Sequence, residues 1–139
     1  MIRQYFDYTR NVYFPGLIGL PFVSVTLIYR SNSVPVQALV DSGSTVSVLP
    51  YDIGLQLGLV WEEQHVPAPL VGVLKDAPAW GVLLSGEISP FPPVTLAFAW
   101  TRKSSDEALV ILGQTNFFQT FKTAFDGKSG TFEIILPAA

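Results

Sequence analysis

The sequence has no cysteine, one histidine and one methionine, and only 14% of its 139 residues are charged. Without cysteine there is no disulfide frame, no thiolate metal site and no cysteine nucleophile. A serine-histidine-aspartate triad would have to use His65, and no Gly-x-Ser-x-Gly elbow supplies the serine. His65 has no clustered ligands around it, so neither a metal nor another cofactor is expected. Eleven acids against eight bases give a net charge of −3 with no basic run, which leaves a nucleic acid without an electrostatic footprint to bind. The uncharged stretch 12–29 approaches membrane length, but Pro15, Gly16, Gly19 and Pro21 break it and its second half alternates with polar residues. That stretch reads as loop plus strand, with no membrane partner. Residues 1–10 lack the basic-then-apolar order of a signal peptide, and the expectation is a soluble, cytoplasmic protein.

What the chain does have is apolar residues, 49% of the total. That excludes a disordered chain and suggests that some apolar surface is covered by a partner, for which self-association is the simplest source. The length predicts one domain over 1–139. Residues 21–29 alternate, with Ser24 and Thr26 on one face and Val23, Val25 and Leu27 on the other; after a polar turn, 34–40 pairs back as a hairpin and ends at Asp41. The run 45–49 is strand-like and stops at Pro50, and a short helix over 51–57 is closed by Gly58. Residues 60–68 read as extended, with Glu62, Glu63 and His65 as solvated side chains. Over 69–84 two apolar arms flank Lys75, Asp76 and Pro78, the pattern of a long hairpin whose tip has little to bury itself against.

Ser85-Gly86 and three prolines punctuate the chain before a strand at 94–100 and a polar loop at 101–106. A buried strand over 108–112 ends in Gly113, and a short helix from Thr115 and Asn116 turns Phe117, Phe118 and Phe121 largely inward. A last hairpin joins 122–125 to 131–136 around a turn at 126–130. Many short strands and few helical residues make an all-β fold, closed or barrel-like, with one or two short helices.

The chemistry is concentrated in Leu39-Val40-Asp41-Ser42-Gly43-Ser44, where an acid follows an apolar strand. A carboxylate at the end of a buried strand is costly unless donors or a proton compensate, so its presence there suggests a reaction. One aspartate cannot both activate a water and protonate a scissile amide. No second Asp-Ser/Thr-Gly exists in the chain, because Asp126-Gly127-Lys128 lacks the middle hydroxyl. A two-fold homodimer would supply the missing group as a second Asp41.

This motif, with Val48-Leu49-Pro50 after it and Ile111-Leu112-Gly113 about seventy residues on, resembles the retropepsin-like aspartic proteases, in the form of a non-viral, bacterial-like single-domain member. The resemblance implies the closed acid-protease fold, a homodimer and a peptide or protein substrate. It implies an aspartic endopeptidase that prefers hydrophobic residues at the scissile bond, with Asp41, Ser42, Gly43 and Ser44 as the catalytic turn. Ser42 would bond across the dimer, and the Ser44 hydroxyl would donate to the Asp41 carboxylate and move the pH optimum to the acidic side. Leu39, Val48 and Ile111 match apolar pocket positions. Leu70, Val71, Gly72 and Val73 match the arm of a flap, at about 69–84, that lies over substrate. Ile111, Leu112 and Gly113 form the second structural motif.

Thr45 and Gln114 stand where viral relatives carry an ion pair, so that support for the dimer is absent. The C-terminal strand reads either as part of an inter-subunit sheet or as an intrachain hairpin. The competing function is a catalytically silent retropepsin-fold module for dimerisation or peptide binding.

Overall fold

The computed structural model describes residues 1–10, 19–68 and 78–138. The strands are β1 (Ile2–Asp7), β2 (Phe22–Tyr29), β3 (Asn32–Val40), β4 (Ser47–Leu49), β5 (Ala79–Glu87), β6 (Val94–Thr101), β7 (Val110–Leu112), β8 (Lys122–Asp126) and β9 (Thr131–Leu136), and the two short helices are α1 (Tyr51–Gln56) and α2 (Phe117–Thr120). Six strands close a barrel in the order β2-β3-β7-β4-β6-β5, and the other three form a sheet in the order β1-β9-β8. The fold is therefore all-β, with a closed barrel and two short helices.

The β2-β3 hairpin follows from its alternation. Val23, Val25 and Leu27 point into the core while Ser24 is exposed, and the register runs from Phe22 opposite Leu39 to Tyr29 opposite Asn32. The turn between them needs a left-handed residue, which Arg30 supplies at φ 55°, its guanidinium lying over the Tyr29 ring. β3 then runs parallel to β7, with Val40 opposite Leu112, so Asp41 and Gly113 leave the sheet at the same level.

β4 is short and wholly buried. Pro50 follows it as the N-cap of α1, which ends where Gly58 turns at φ 87° and where Asn32 Nδ2 donates to the Leu57 carbonyl. Trp100 is fully buried against this helix, stacked on Tyr51, and its indole N–H donates to the Tyr51 carbonyl.

The expectations at three places need correction. Residues Trp61–Glu63 form a 3-10 turn rather than extended chain, because Trp61 folds back edge-on to Tyr51 and Trp100. β5 does not stop before Ser85-Gly86 but continues to Glu87; Gly86 serves the barrel, since a Cβ there would meet a Leu96 methyl at 2.6 Å. Ile2–Asp7, read without a strand, is β1, paired along its whole length with β9. β9 is the middle strand of its sheet, so the C-terminal hairpin is intrachain and β9 has no free edge.

Phe6, Phe132 and Phe125 lie opposite one another across that sheet, with Phe132 stacked between the other two and continuous with the barrel core. The Arg3 guanidinium forks onto the Glu133 carboxylate, which raises the arginine's pKa and pins β1 to β9. Among the described residues no helix is long and apolar enough to cross a membrane.

Candidate functional site

Asp41 begins where β3 ends. Its backbone N–H donates to the Leu112 carbonyl at 2.9 Å, extending the β3-β7 ladder by one residue, and its own carbonyl accepts from the Ser44 N–H at 3.2 Å. Asp41 Oδ1 accepts the Gly43 N–H at 2.9 Å, an Asx turn that aims the carboxylate along the loop. Asp41 is half-buried while Ser42 and Gly43 are exposed. No lysine or arginine forms an ion pair with Asp41 among the described residues.

The loop after Asp41 is held by the segment after β7. The Gln114 N–H donates to the Ser44 carbonyl at 2.9 Å, the Thr115 N–H to the Thr45 carbonyl at 3.0 Å, and the Ser47 N–H to the Thr115 carbonyl at 3.1 Å. Two side chains complete the crossing, Ser47 Oγ accepting the Gly113 N–H at 3.0 Å and Gln114 Nε2 donating to the Ser42 carbonyl at 2.8 Å. The two segments approach so closely that a Cβ on Gly113 would run into the Val46 carbonyl and lie 2.8 Å from the Ser44 carbonyl oxygen. The glycine of Ile111-Leu112-Gly113 is thus required by the crossing that fixes the Asp41 turn.

Ser44 corrects one expectation. Its hydroxyl donates to the Val46 carbonyl at 2.6 Å, so its proton is committed to bracing the loop and not to the Asp41 carboxylate. Ser44 therefore gives the Asp41 carboxylate no donor that would move a pH optimum to the acidic side. Gln114, read from sequence only as the absence of an arginine, is a clamp on the turn. Asn116 was also missed: its Oδ1 accepts the Ala97 N–H at 2.9 Å and its Nδ2 donates to the Thr95 carbonyl at 3.0 Å, tying the start of α2 to β6. An asparagine just before a helix resembles an ordinary N-cap in sequence, and nothing local reveals a partner about twenty residues away.

One hollow borders the turn, and a second borders the crossing that holds it, at Val46 and Thr115. The first, of about 300 Å³, is lined by Leu20, Pro21, Leu39, Val40, Asp41, Ser42 and Phe125. The other, of about 400 Å³ and almost wholly apolar, lies between β5, β6 and the segment 66–68, lined among others by Val46, Val66, Ala68, Leu83, Ala97 and Thr115. Of the expected pocket residues, Leu39 lines the first hollow. Val48 is buried opposite Ile111, in an apolar cluster with Val46, Ala68 and Ala99 that borders the second. The bases of the two arms of the expected flap pair, Ala68 N–H donating to the Ala79 carbonyl and Gly81 N–H to the Val66 carbonyl. Leu70, Val71, Gly72 and Val73 lie outside the described residues. His65 is exposed with its ring beside the Glu63 carbonyl, and among the described residues no group of three or more His, Asp and Glu side chains gathers.

No protein-family model matches this chain, and no curated protein sequence matches it. Among solved structures it is similar to the crystal structure of a retropepsin-like aspartic protease from Rickettsia conorii, with a TM-score of 0.69 at 15% identity over 96% of this chain and 91% of that one. Across so little shared sequence the likeness is one of architecture, and this chain has the retropepsin-like fold.

Proposed function

We propose that the chain is an aspartic endopeptidase acting as a homodimer, which hydrolyses peptide bonds with a water activated between two copies of Asp41. The observation that carries this reading is the Asp41 turn: a carboxylate that no cation pairs with among the described residues, on a backbone fixed by the crossing of 44–47 with 113–115. A fixed backbone around an acid that forms no ion pair among the described residues suits chemistry better than stability.

A two-fold axis beside the turn would bring in the second carboxyl. Two carboxylates about 3 Å apart repel by about 5 kcal/mol at an effective dielectric near 20, equivalent to around four pKa units, so the pair holds one proton over a wide pH range. This is the general behaviour of aspartic-protease dyads. The ionised member takes a proton from the water as its oxygen attacks the peptide carbonyl, and the protonated member polarises the carbonyl oxygen. Collapse of the tetrahedral intermediate breaks the C–N bond, with a proton passing to the leaving amine. The apolar hollow beside β4 fits bulky hydrophobic side chains near the scissile bond. The paired arm bases support a hairpin in which Leu70, Val71, Gly72 and Val73 would receive the substrate backbone as an added strand.

Peptide cleavage at acidic and neutral pH, for the wild type and Asp41→Asn, with and without a statine-type inhibitor, tests the reading. The expected result is inhibitor-sensitive cleavage that drops by about 10²–10⁴-fold in Asp41→Asn. Activity that survives the substitution ends the mechanism, and a folded dimer that cleaves no hydrophobic peptide points to the silent module instead.

A further inference from the structure

We infer that the outer wall of the barrel carries a second peptide site, which takes an extended segment bearing a lysine or arginine along the edge that β2 leaves open beyond the end of β5. The site needs nothing from the Asp41 turn. Its hollow, of about 510 Å³, has the size of an ordinary ligand site and shares no lining residue with the hollow at Asp41. Ser24, Thr26, Gln37, Glu87 and Ser89 line it together with Phe91.

The open edge follows from the register. In an antiparallel pair, residues that exchange backbone bonds alternate with residues whose N–H and C=O point away from the partner strand. The Val40 N–H donates to the Pro21 carbonyl at 2.9 Å, so the bonded pairs that follow are Val23 with Ala38 and Val25 with Val36. Phe22, Ser24 and Thr26 therefore turn their backbone groups to the other side of β2. There the Phe22 N–H donates to the Leu20 carbonyl, and Thr26 stands opposite Glu87 of β5. Continued by two residues, the same register would set Ser89 opposite Ser24, but β5 ends at Glu87. Burial of Ile88 and Phe91 in the core draws the chain away. Among the described residues no backbone group pairs with Ser24 on that side, which leaves its N–H and C=O as a template for one added strand. The free edge of β3 is a poorer template, because Pro35 has no N–H to give.

Charge selects the occupant. Thr26 and Glu87 are cross-strand neighbours, and Ser24, two residues from Thr26, shares their face of the sheet. A segment that continues the line of β5 sets the side chain opposite Ser24 on that same face, two positions or about 7 Å from Glu87. Glu87 is exposed, and no cation pairs with it among the described residues. A lysine or arginine opposite Ser24 supplies one. Gln37, which stands across from Ser24 and donates from Nε2 to Ser24 Oγ at 2.6 Å, has its side-chain carbonyl as a further acceptor for the same cation.

The probe is a fluorescein-labelled, amidated peptide of sequence Thr-Val-Lys-Val-Thr, followed by anisotropy with a statine-type inhibitor in excess, so that a working cleft neither holds the peptide nor cuts it. Saturable binding is expected, roughly fivefold weaker in Glu87→Gln, and the difference should fade in high salt. With norleucine in place of the lysine, the two proteins should bind alike. Ser24→Pro removes a backbone N–H that faces away from β3, as Pro35 lacks one opposite Thr26, and is expected to weaken binding about tenfold, whereas Ser24→Ala keeps it within about twofold. N-methylating the lysine's own backbone nitrogen should cost about as much and leaves the protein untouched. Binding that is unchanged in Glu87→Gln or by the N-methyl group, or no binding at the highest soluble concentration, overturns the site. Self-association of the wild type that Ser24→Pro abolishes would give the edge to a second copy and overturn it too.

Discussion

At the scale of single residues, the Asp41 turn is a set of backbone bonds in which three side chains have assigned work. Ser47 receives the Gly113 N–H, Gln114 holds the Ser42 carbonyl, and Ser44 holds the Val46 carbonyl. Losing a hydroxyl that satisfies one half-buried carbonyl costs about 1 kcal/mol. Ser44→Ala is therefore expected to lower the free energy of unfolding by about that amount, read as a lower urea midpoint, and to leave the pH of maximal cleavage where it is in wild type. A profile that shifts toward neutrality in Ser44→Ala would restore the hydroxyl to the carboxylate. Asp41, Gly43 and Gly113 were legible in sequence because the acid and both glycines punctuate apolar runs. The work of Ser44 and Gln114 was not, since a hydroxyl or an amide chooses among acceptors that only the folded crossing brings within reach.

Elements were legible where burial alternates and hidden where a distant partner creates them. The β2-β3 hairpin and α1 announce themselves by alternation, Pro50 and Gly58, and the structure keeps them nearly to the residue. In β1 only Phe6 is even half-buried, so no period marks it; the strand exists because β9, at the other end of the chain, accepts it. The same long-range logic holds the polar loop after β6. Asp52, in the first turn of α1, accepts the Ser105 backbone N–H at 2.8 Å and the Ser105 hydroxyl. Burial alone would raise the Asp52 pKa, but the Ser105 hydroxyl and backbone N–H together outweigh it and lower the value, and the helix N-terminus favours the same charge.

A depressed carboxylate adds stability that is fully present above its unfolded pKa, near 3.9, and is lost as pH falls through the folded value. Asp52→Ala should cost about 1 kcal/mol at neutral pH, discounted for the loop's exposure to water, and almost nothing near pH 2. Urea midpoints at the two pH values check this, and an equal loss at both would mean that Asp52 acts through packing and not through its charge.

For the whole molecule, the retropepsin-like barrel places one carboxylate where the proposed chemistry needs two, so activity should belong to pairs of chains. That has a consequence no single-chain enzyme shares. If dimers are tight and exchange partners, mixing wild type with an equal amount of Asp41→Asn leaves about a quarter of the dimers with two intact aspartates, and total cleavage falls to about half although no wild-type chain has been removed. A ninefold excess of the inactive chain lowers it about tenfold by the same count. If dimers are weak, the wild-type protein alone shows the coupling instead, because the active species then grows with the square of chain concentration and the rate per chain rises on concentrating the sample. A cleavage rate that is strictly proportional to concentration and indifferent to added Asp41→Asn would show that each chain works alone. The second carboxyl would then have to come from within one chain.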